Sequence, residues 1–229
     1  FFTPSDSVQD VTLFAKYTLR ADEMFLNRMI GGTFEGSNDP DFREKEVLYL
    51  INEIPKRLQT VVQSYSSKSY RYVRYIGPKD SHCNIAEAAF YTPNDTASLK
   101  GKVIGTPGCF QKDGSHEYTN VFDGDVTTSF DYIEPSGGWS GLDLGTPKQI
   151  GRIVYTPRSY DNYIRSGDEY ELFYCVNKTG WFSLGIQLSG SDSLVYRKVP
   201  ANVMFLLKNY SRGRQERIFV YEDGKQRWK

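Results

Sequence analysis

Short β-favouring runs, each closed off by glycine, proline, asparagine or aspartate, limit this chain to architectures built from many brief strands. Tyr70-Arg-Tyr-Val-Arg-Tyr-Ile76 and Tyr170-Glu-Leu-Phe-Tyr-Cys-Val176 are the plainest of them. The sequence holds 20 glycines, 10 prolines and 17 tyrosines against only 3 methionines. That mix suits a sandwich better than a helical bundle, because aromatic and β-branched side chains pack well on a pleated surface. Further strand candidates are Val11–Tyr17, Thr33–Glu35, Val47–Ile51, Leu58–Val62, Ile85–Tyr91, Lys102–Ile104, Trp139–Leu144, Ile150–Tyr155, Trp181–Ile186, Leu194–Tyr196, Val203–Leu207 and Arg217–Tyr221. Arg20–Met29 predicts a turn of helix, since Ala21, Glu23, Met24 and Leu26 favour one. Arg71 and Arg74 do not share a parity, so aromatic stems are expected to cover a partly wet face there. These signals together define an all-β fold class.

At 229 residues the chain has room for two domains of about 100 residues each. Turn formers without apolar content gather at Thr92-Pro-Asn-Asp-Thr-Ala-Ser98, which places the expected boundary. The organisation expected is a linker or upstream end over 1–18, an abbreviated sandwich over 19–93 and a full sandwich over 94–229. The halves resemble each other weakly: Gly31-Gly-Thr-Phe-Glu35 with Gly167-Asp-Glu-Tyr-Glu171, and Glu87-Ala-Ala-Phe90 with Glu216-Arg-Ile-Phe219. Related sandwiches with unequal loops would give such a drifting offset. The chain begins at Phe1 without an initiating methionine, so the expectation is a processed product or an excised part of something longer, with an accessory function.

Lys+Arg and Asp+Glu both total 28, so zero net charge argues against a general polyanion binder. No apolar run approaches the roughly 18 residues that cross a bilayer. Cys83, Cys109 and Cys175 are an odd, scattered set without a CxxC, encoding neither a zinc site nor a full disulfide framework. Asn94-Asp95-Thr96, Asn177-Lys178-Thr179 and Asn209-Tyr210-Ser211 are glycan-acceptor triplets of a kind common by chance.

The string Val121-Phe-Asp-Gly-Asp-Val-Thr-Thr-Ser-Phe130 is followed by Gly138-Trp-Ser-Gly-Leu-Asp-Leu-Gly145, Ile150–Tyr155, Pro157-Arg158 and Tyr170-Glu-Leu-Phe173. This ordered set resembles the discoidin, or coagulation-factor-5/8 type C, family, whose galactose-binding-like jelly roll is shared by family 32 carbohydrate-binding modules. The resemblance spans about Gly101 to Glu222. Gly32-Thr-Phe-Glu-Gly-Ser-Asn38, Tyr72-Val-Arg-Tyr75 and Asn84-Ile-Ala-Glu87 carry it less completely in the first half. The paired arrangement resembles the C-terminal regions of secreted or surface Bacteroidetes proteins in which such sandwiches follow a transglutaminase-like domain. It implies a secreted, periplasmic or cell-surface binding module whose partner is carbohydrate or a cell-surface glycan, without nucleic acid or membrane insertion. The alternative is a structural or protein-interaction spacer that positions an upstream catalytic domain.

Several segments carry chemistry of their own. In Phe122-Asp-Gly-Asp-Val-Thr-Thr128, Gly124 permits a sharp turn that leaves Asp123, Asp125 and Thr128 as hard oxygen donors suited to Ca²⁺. The resemblance adds a Glu from the last strand, which maps onto Glu216, and makes the ion a structural staple. An Asx-turn that closes itself without metal is the other reading. Trp139, Leu142 and Leu144 predict a strand facing the core, with Asp143 turned away. Pro157-Arg-Ser-Tyr-Asp-Asn-Tyr163 is the candidate sugar loop, because Tyr160 and Tyr163 offer stacking faces and Arg158, Asp161 and Asn162 offer planar polar groups. Its bland alternative is a solvated loop in which Arg158 pairs with a carboxylate. Phe130 and Tyr132 are further candidates at a sandwich tip.

Catalytic signals are sparse. GxSxG, HExxH, GxxxxGK[ST] and GxGxxG are absent from the sequence. His82 beside Cys83 invites a nucleophile pair, but neighbours on an extended segment point to opposite faces. Gly36-Ser-Asn-Asp-Pro-Asp41 reads as a hairpin tip, and Arg212–Arg217 as a solvated turn. The expectation is a non-enzymatic module.

Overall fold

The computed structural model describes residues 7–16, 25–55, 57–159, 161–176, 179–213 and 216–229. Fifteen strands lie among them: β1 Val8–Leu13, β2 Thr33–Ser37, β3 Lys45–Leu50, β4 Thr60–Gln63, β5 Ser69–Ile76, β6 Glu87–Tyr91, β7 Lys102–Gly105, β8 Trp139–Gln149, β9 Arg152–Thr156, β10 Glu169–Cys175, β11 Trp181–Leu188, β12 Leu194–Pro200, β13 Met204–Asn209, β14 Ile218–Glu222 and β15 Lys225–Trp228. The chain is all-β and every strand pairing is antiparallel. A 3-10 turn spans Tyr118–Phe122. Of the helical turn expected over Arg20–Met29, residues 20–24 lie outside the described residues and 25–27 are helical, with Met29 N–H donating to Leu26 O and Ile30 N–H to Asn27 O. No helix among the described residues is long and apolar enough to cross a membrane.

Contacts divide the chain differently from the composition. One compact unit is Arg20–Asp161; the other combines Phe1–Leu19 with Asn162–Lys229. The continuous unit is therefore inserted into the split one. The boundary expected at 93/94 falls inside the inserted unit, because strands from either side of it share sheets. β5 pairs β8 and β9 lies between β4 and β6. The strands β2 to β6 are thus not an abbreviated copy of the later half; they belong to the same sandwich as β7, β8 and β9. Turn-forming residues at 92–98 mark a loop between strands, which local composition does not distinguish from a linker.

The inserted unit faces a five-stranded sheet, ordered β3-β2-β5-β8-β7, against a three-stranded sheet, β4-β9-β6. Phe34, Leu48, Val73, Tyr75 and Leu142 from the first meet Ala88, Phe90, Ile153 and Tyr155 from the second in one core. Phe34 sits at its centre, 5.9 Å from the ring of Phe90 and 5.4 Å from that of Tyr155. Burial of rings of this size supplies on the order of 2–3 kcal/mol each. Gly141 is required by close approach: a Cβ there would lie 2.2 Å from the Val73 carbonyl oxygen.

A register shift between Tyr70 and Tyr72 resolves the parity conflict in β5. Tyr70 enters the core on one side of it and Val73 and Tyr75 on the other. Arg71, at the irregularity, donates through Nε and Nη2 to the two oxygens of Asp143 at 2.8 and 2.9 Å. Arg74 faces away from the core and ion-pairs with Glu35 at 2.7 Å, under the rings of Phe42 and Trp139. Trp139 therefore does not share the core face of Leu142. It has the parity of Asp143, and half-buried it covers Arg74 instead.

The split unit places the pair β1-β12 against the sheet β11-β10-β13-β14-β15. Val11, Leu13, Tyr196 and Val199 pack on Tyr170, Leu172, Phe205, Leu207 and Phe219. Where the chain leaves and re-enters this unit, Lys16 N–H donates to Asn162 O at 2.7 Å and Ile164 N–H to Phe14 O at 3.0 Å. The two crossing segments are thereby zipped together.

Candidate functional site

The loop after β9 is built inward. Arg158, 5% exposed, donates from Nη1 to Asp131 Oδ2 at 2.6 Å, and its guanidinium lies 4.3 Å from the Phe25 ring centre. The other oxygen of Asp131 accepts from Asn84 Nδ2 at 2.6 Å, and Asn84 Oδ1 accepts from Arg28 at 3.0 Å. This chain of charge-assisted bonds ties four loops of the inserted unit together. Asp161, Asn162 and Tyr163 are also buried, and Phe130 is fully enclosed in the core. Tyr160 lies outside the described residues. The sugar-contact role expected of Arg158, Asp161, Asn162, Tyr163 and Phe130 needs side chains that a ligand reaches, and these are packed away. Arg158 does pair with a carboxylate, but inside the protein and not in a solvated loop.

What the same network leaves accessible is a short aromatic surface. Phe110 is 58% exposed, and its ring meets that of His82 edge-on at 5.6 Å. His82 Nδ1 lies 2.9 Å from Tyr132 O. Backbone bonds lock the three segments: Phe110 N–H to Asp131 O at 2.8 Å, Tyr132 N–H to His82 O at 2.7 Å and His82 N–H to Pro135 O at 3.0 Å. Asp80, His82 and Cys83 all have φ between +53 and +59°. Non-glycine residues held there cost on the order of 1 kcal/mol or more each, and they persist only where the surroundings impose them. Of the ligand-contact residues expected from sequence, half-buried Tyr132 borders this surface, and His82, weighed there only as part of a nucleophile pair, forms it. Phe110 was legible as an aromatic stranded between Gly108 and a polar stretch, outside every motif of the family resemblance.

Cys83 is enclosed, and burial pushes its thiol up to about 12, against reactivity as a thiolate. The imidazole of His82 meanwhile sits against Tyr132 O, so the adjacent pair does not form a nucleophile and base. Cys109 and Cys175 are likewise buried.

The Asp123 loop closes on itself. Asp123 Oδ1 accepts from Asp125 N–H at 2.7 Å and its Oδ2 from Thr128 Oγ1 at 2.8 Å, while Asp125 Oδ1 accepts from Thr127 N–H at 2.9 Å. Glu216 belongs to the split unit and is not part of this loop's unit. Glu87, at the start of β6, stands here instead, accepting from Gly124 N–H at 2.9 Å. Burial, reinforced by the Asp123 carboxyl, raises its pKa from 4.5 to about 8. A pocket of about 290 Å³ opens beside Glu87, Lys100, Val103, Phe122 and Asp123. No group of three or more His, Cys, Asp or Glu arranged to hold a metal occurs among the described residues.

Comparison with protein-family models, curated proteins and solved structures found no match.

Proposed function

We propose that the chain is a non-catalytic, extracytoplasmic binding module that recognises carbohydrate through the loops carrying His82, Phe110 and Tyr132, on a discoidin-like sandwich. The observation that carries this reading is the exposed Phe110 ring beside His82, whose positive-φ backbone is bonded to Pro135 O and Tyr132 N–H. A rigid aromatic face with a hydrogen-bonding ring at its edge is what stacking a sugar's C–H face requires. The eight strands of the inserted unit lie in two facing antiparallel sheets, as in a jelly roll, while the stretch Gly101–Glu222 that carries the discoidin resemblance runs past the end of that unit at Asp161. A site this shallow binds at about millimolar strength. Phe110→Ala is expected to weaken glycan binding about tenfold in calorimetric titration while leaving the fold intact. A glycan array silent at millimolar concentration would remove the reading.

A structural Ca²⁺ belongs to the same proposal. The paired carboxyls of Glu87 and Asp123, with Asp125 and Thr128, are the hard oxygens that would hold it, Glu87 taking the place expected of Glu216. The ion would offset the burial and the Asp123 charge that together raise the Glu87 pKa. The spacer alternative draws on Trp181, Phe182, Ile186 and Leu188, which lie exposed on the edge strand β11. Stoichiometric binding to a catalytic domain of the same protein, together with glycan silence, would favour it.

A further inference from the structure

A second groove, sharing no lining residue with the Phe110 surface, lies between the β3–β4 connection and β4 itself. Its volume is about 470 Å³, and Tyr49, Glu53, Arg57, Gln59, Thr60 and Tyr155 line it. β3 and β4 are edge strands of the two facing sheets, so the groove is an open side of the sandwich. Buried Tyr155 forms its floor. The half-buried Tyr49 ring lies 5.4 Å from that of Tyr65, which is 62% exposed and borders the groove through Tyr49 without lining it. Phenols and carboxylate converge there: burial holds Tyr155 up at about 12, with Tyr49 and Glu53 adding to the rise and the Thr60 side chain opposing it. Tyr49 is raised by burial, then by Tyr65 and Glu53.

This chemistry selects its ligand. With Glu53 and Arg57 both in the lining the groove carries no net formal charge and suits an uncharged ligand, and the tyrosine pair needs a ring with an apolar face. The hydroxyl, amide and carboxylate groups require a ligand rich in donors and acceptors. β4, only four residues long, offers little edge for an extended peptide. We infer that the groove is a second saccharide site, taking one uncharged pyranose ring against Tyr49 and Tyr65 with its hydroxyls on Glu53, Gln59 and Thr60. This site is independent of the Phe110 surface.

The test is a set of ¹H–¹⁵N spectra of the whole chain titrated with glucose, galactose, mannose and N-acetylglucosamine to tens of millimolar. At least one sugar should shift the amides of Tyr49 and Thr60–Gln63 saturably, in wild type and in Phe110→Ala alike. Tyr65→Ala removes an exposed ring without touching the core, and should weaken that response about tenfold while the remaining spectrum stays in place. Glu53→Gln should weaken it too. The inference is overturned if no sugar moves these amides, if Tyr65→Ala responds like wild type, or if only an unstructured peptide produces the shifts.

Discussion

At the scale of single residues, Glu87 connects stability, pH and metal. Its pKa of about 8, against 4.5 for an ordinary glutamate, means the folded chain keeps a proton that the unfolded chain has released between those values. The folded state binds more protons across that window, so stability is full below about pH 4.5 and falls as pH climbs to about 8. In EDTA, the melting temperature should decline over this window, and Glu87→Gln should flatten the decline and melt above wild type at the alkaline end. Added Ca²⁺ should raise the wild-type melting temperature increasingly toward higher pH, because carboxylate ligands must be ionised. Identical melting curves in EDTA and in Ca²⁺ at every pH would show the Asp123 loop to be metal-free.

At the scale of elements, the strands were legible because tertiary structure here rests on local alternation. β5 and β10 follow their apolar runs closely. β15, Lys225-Gln-Arg-Trp228, was not anticipated: an edge strand rich in charge carries no such pattern, and charge is what keeps an edge from pairing further. The candidate site was less legible because its contacts are long-range. Arg158 finds Asp131 27 residues away and Glu87 finds Gly124 37 residues away, and no spacing rule reports that a Pro-led polar loop is buried. The outer face of the five-stranded sheet hides a similar pairing. Glu35 and Arg74 are almost wholly enclosed, with Lys45 adding a second bond to Glu35 at 2.8 Å. Removing one partner strands a buried charge, so Glu35→Leu alone should cost about 3 kcal/mol or more. Combined with Arg74→Met, the loss should be well below the sum of the single changes. Urea unfolding of the four-member cycle measures the coupling, and simple additivity would show that the pair does not act as a unit.

At the scale of the whole molecule, insertion of one unit into the other makes a prediction that a linear division at 93/94 does not share. β9 takes both of its sheet neighbours, β4 and β6, from before residue 93, and β8 takes β5. A fragment spanning 94–229 leaves β9 without a partner on either side and uncovers Ile153 and Tyr155, both core residues. It also lacks β1, the strand that pairs with β12. Such a fragment should show collapsed amide dispersion and no cooperative melt. A fragment spanning 20–161 keeps both sheets of its sandwich and the core between them, and should unfold as a single transition. Should 94–229 instead melt cooperatively with dispersed amides while 20–161 does not, the pairings of β4, β5 and β6 across residue 93 would be wrong. The Phe110 surface would go with them, since Ile85, His82 and Asn84 brace it from the earlier side of that residue and Phe130, Tyr132 and Asp131 from the later.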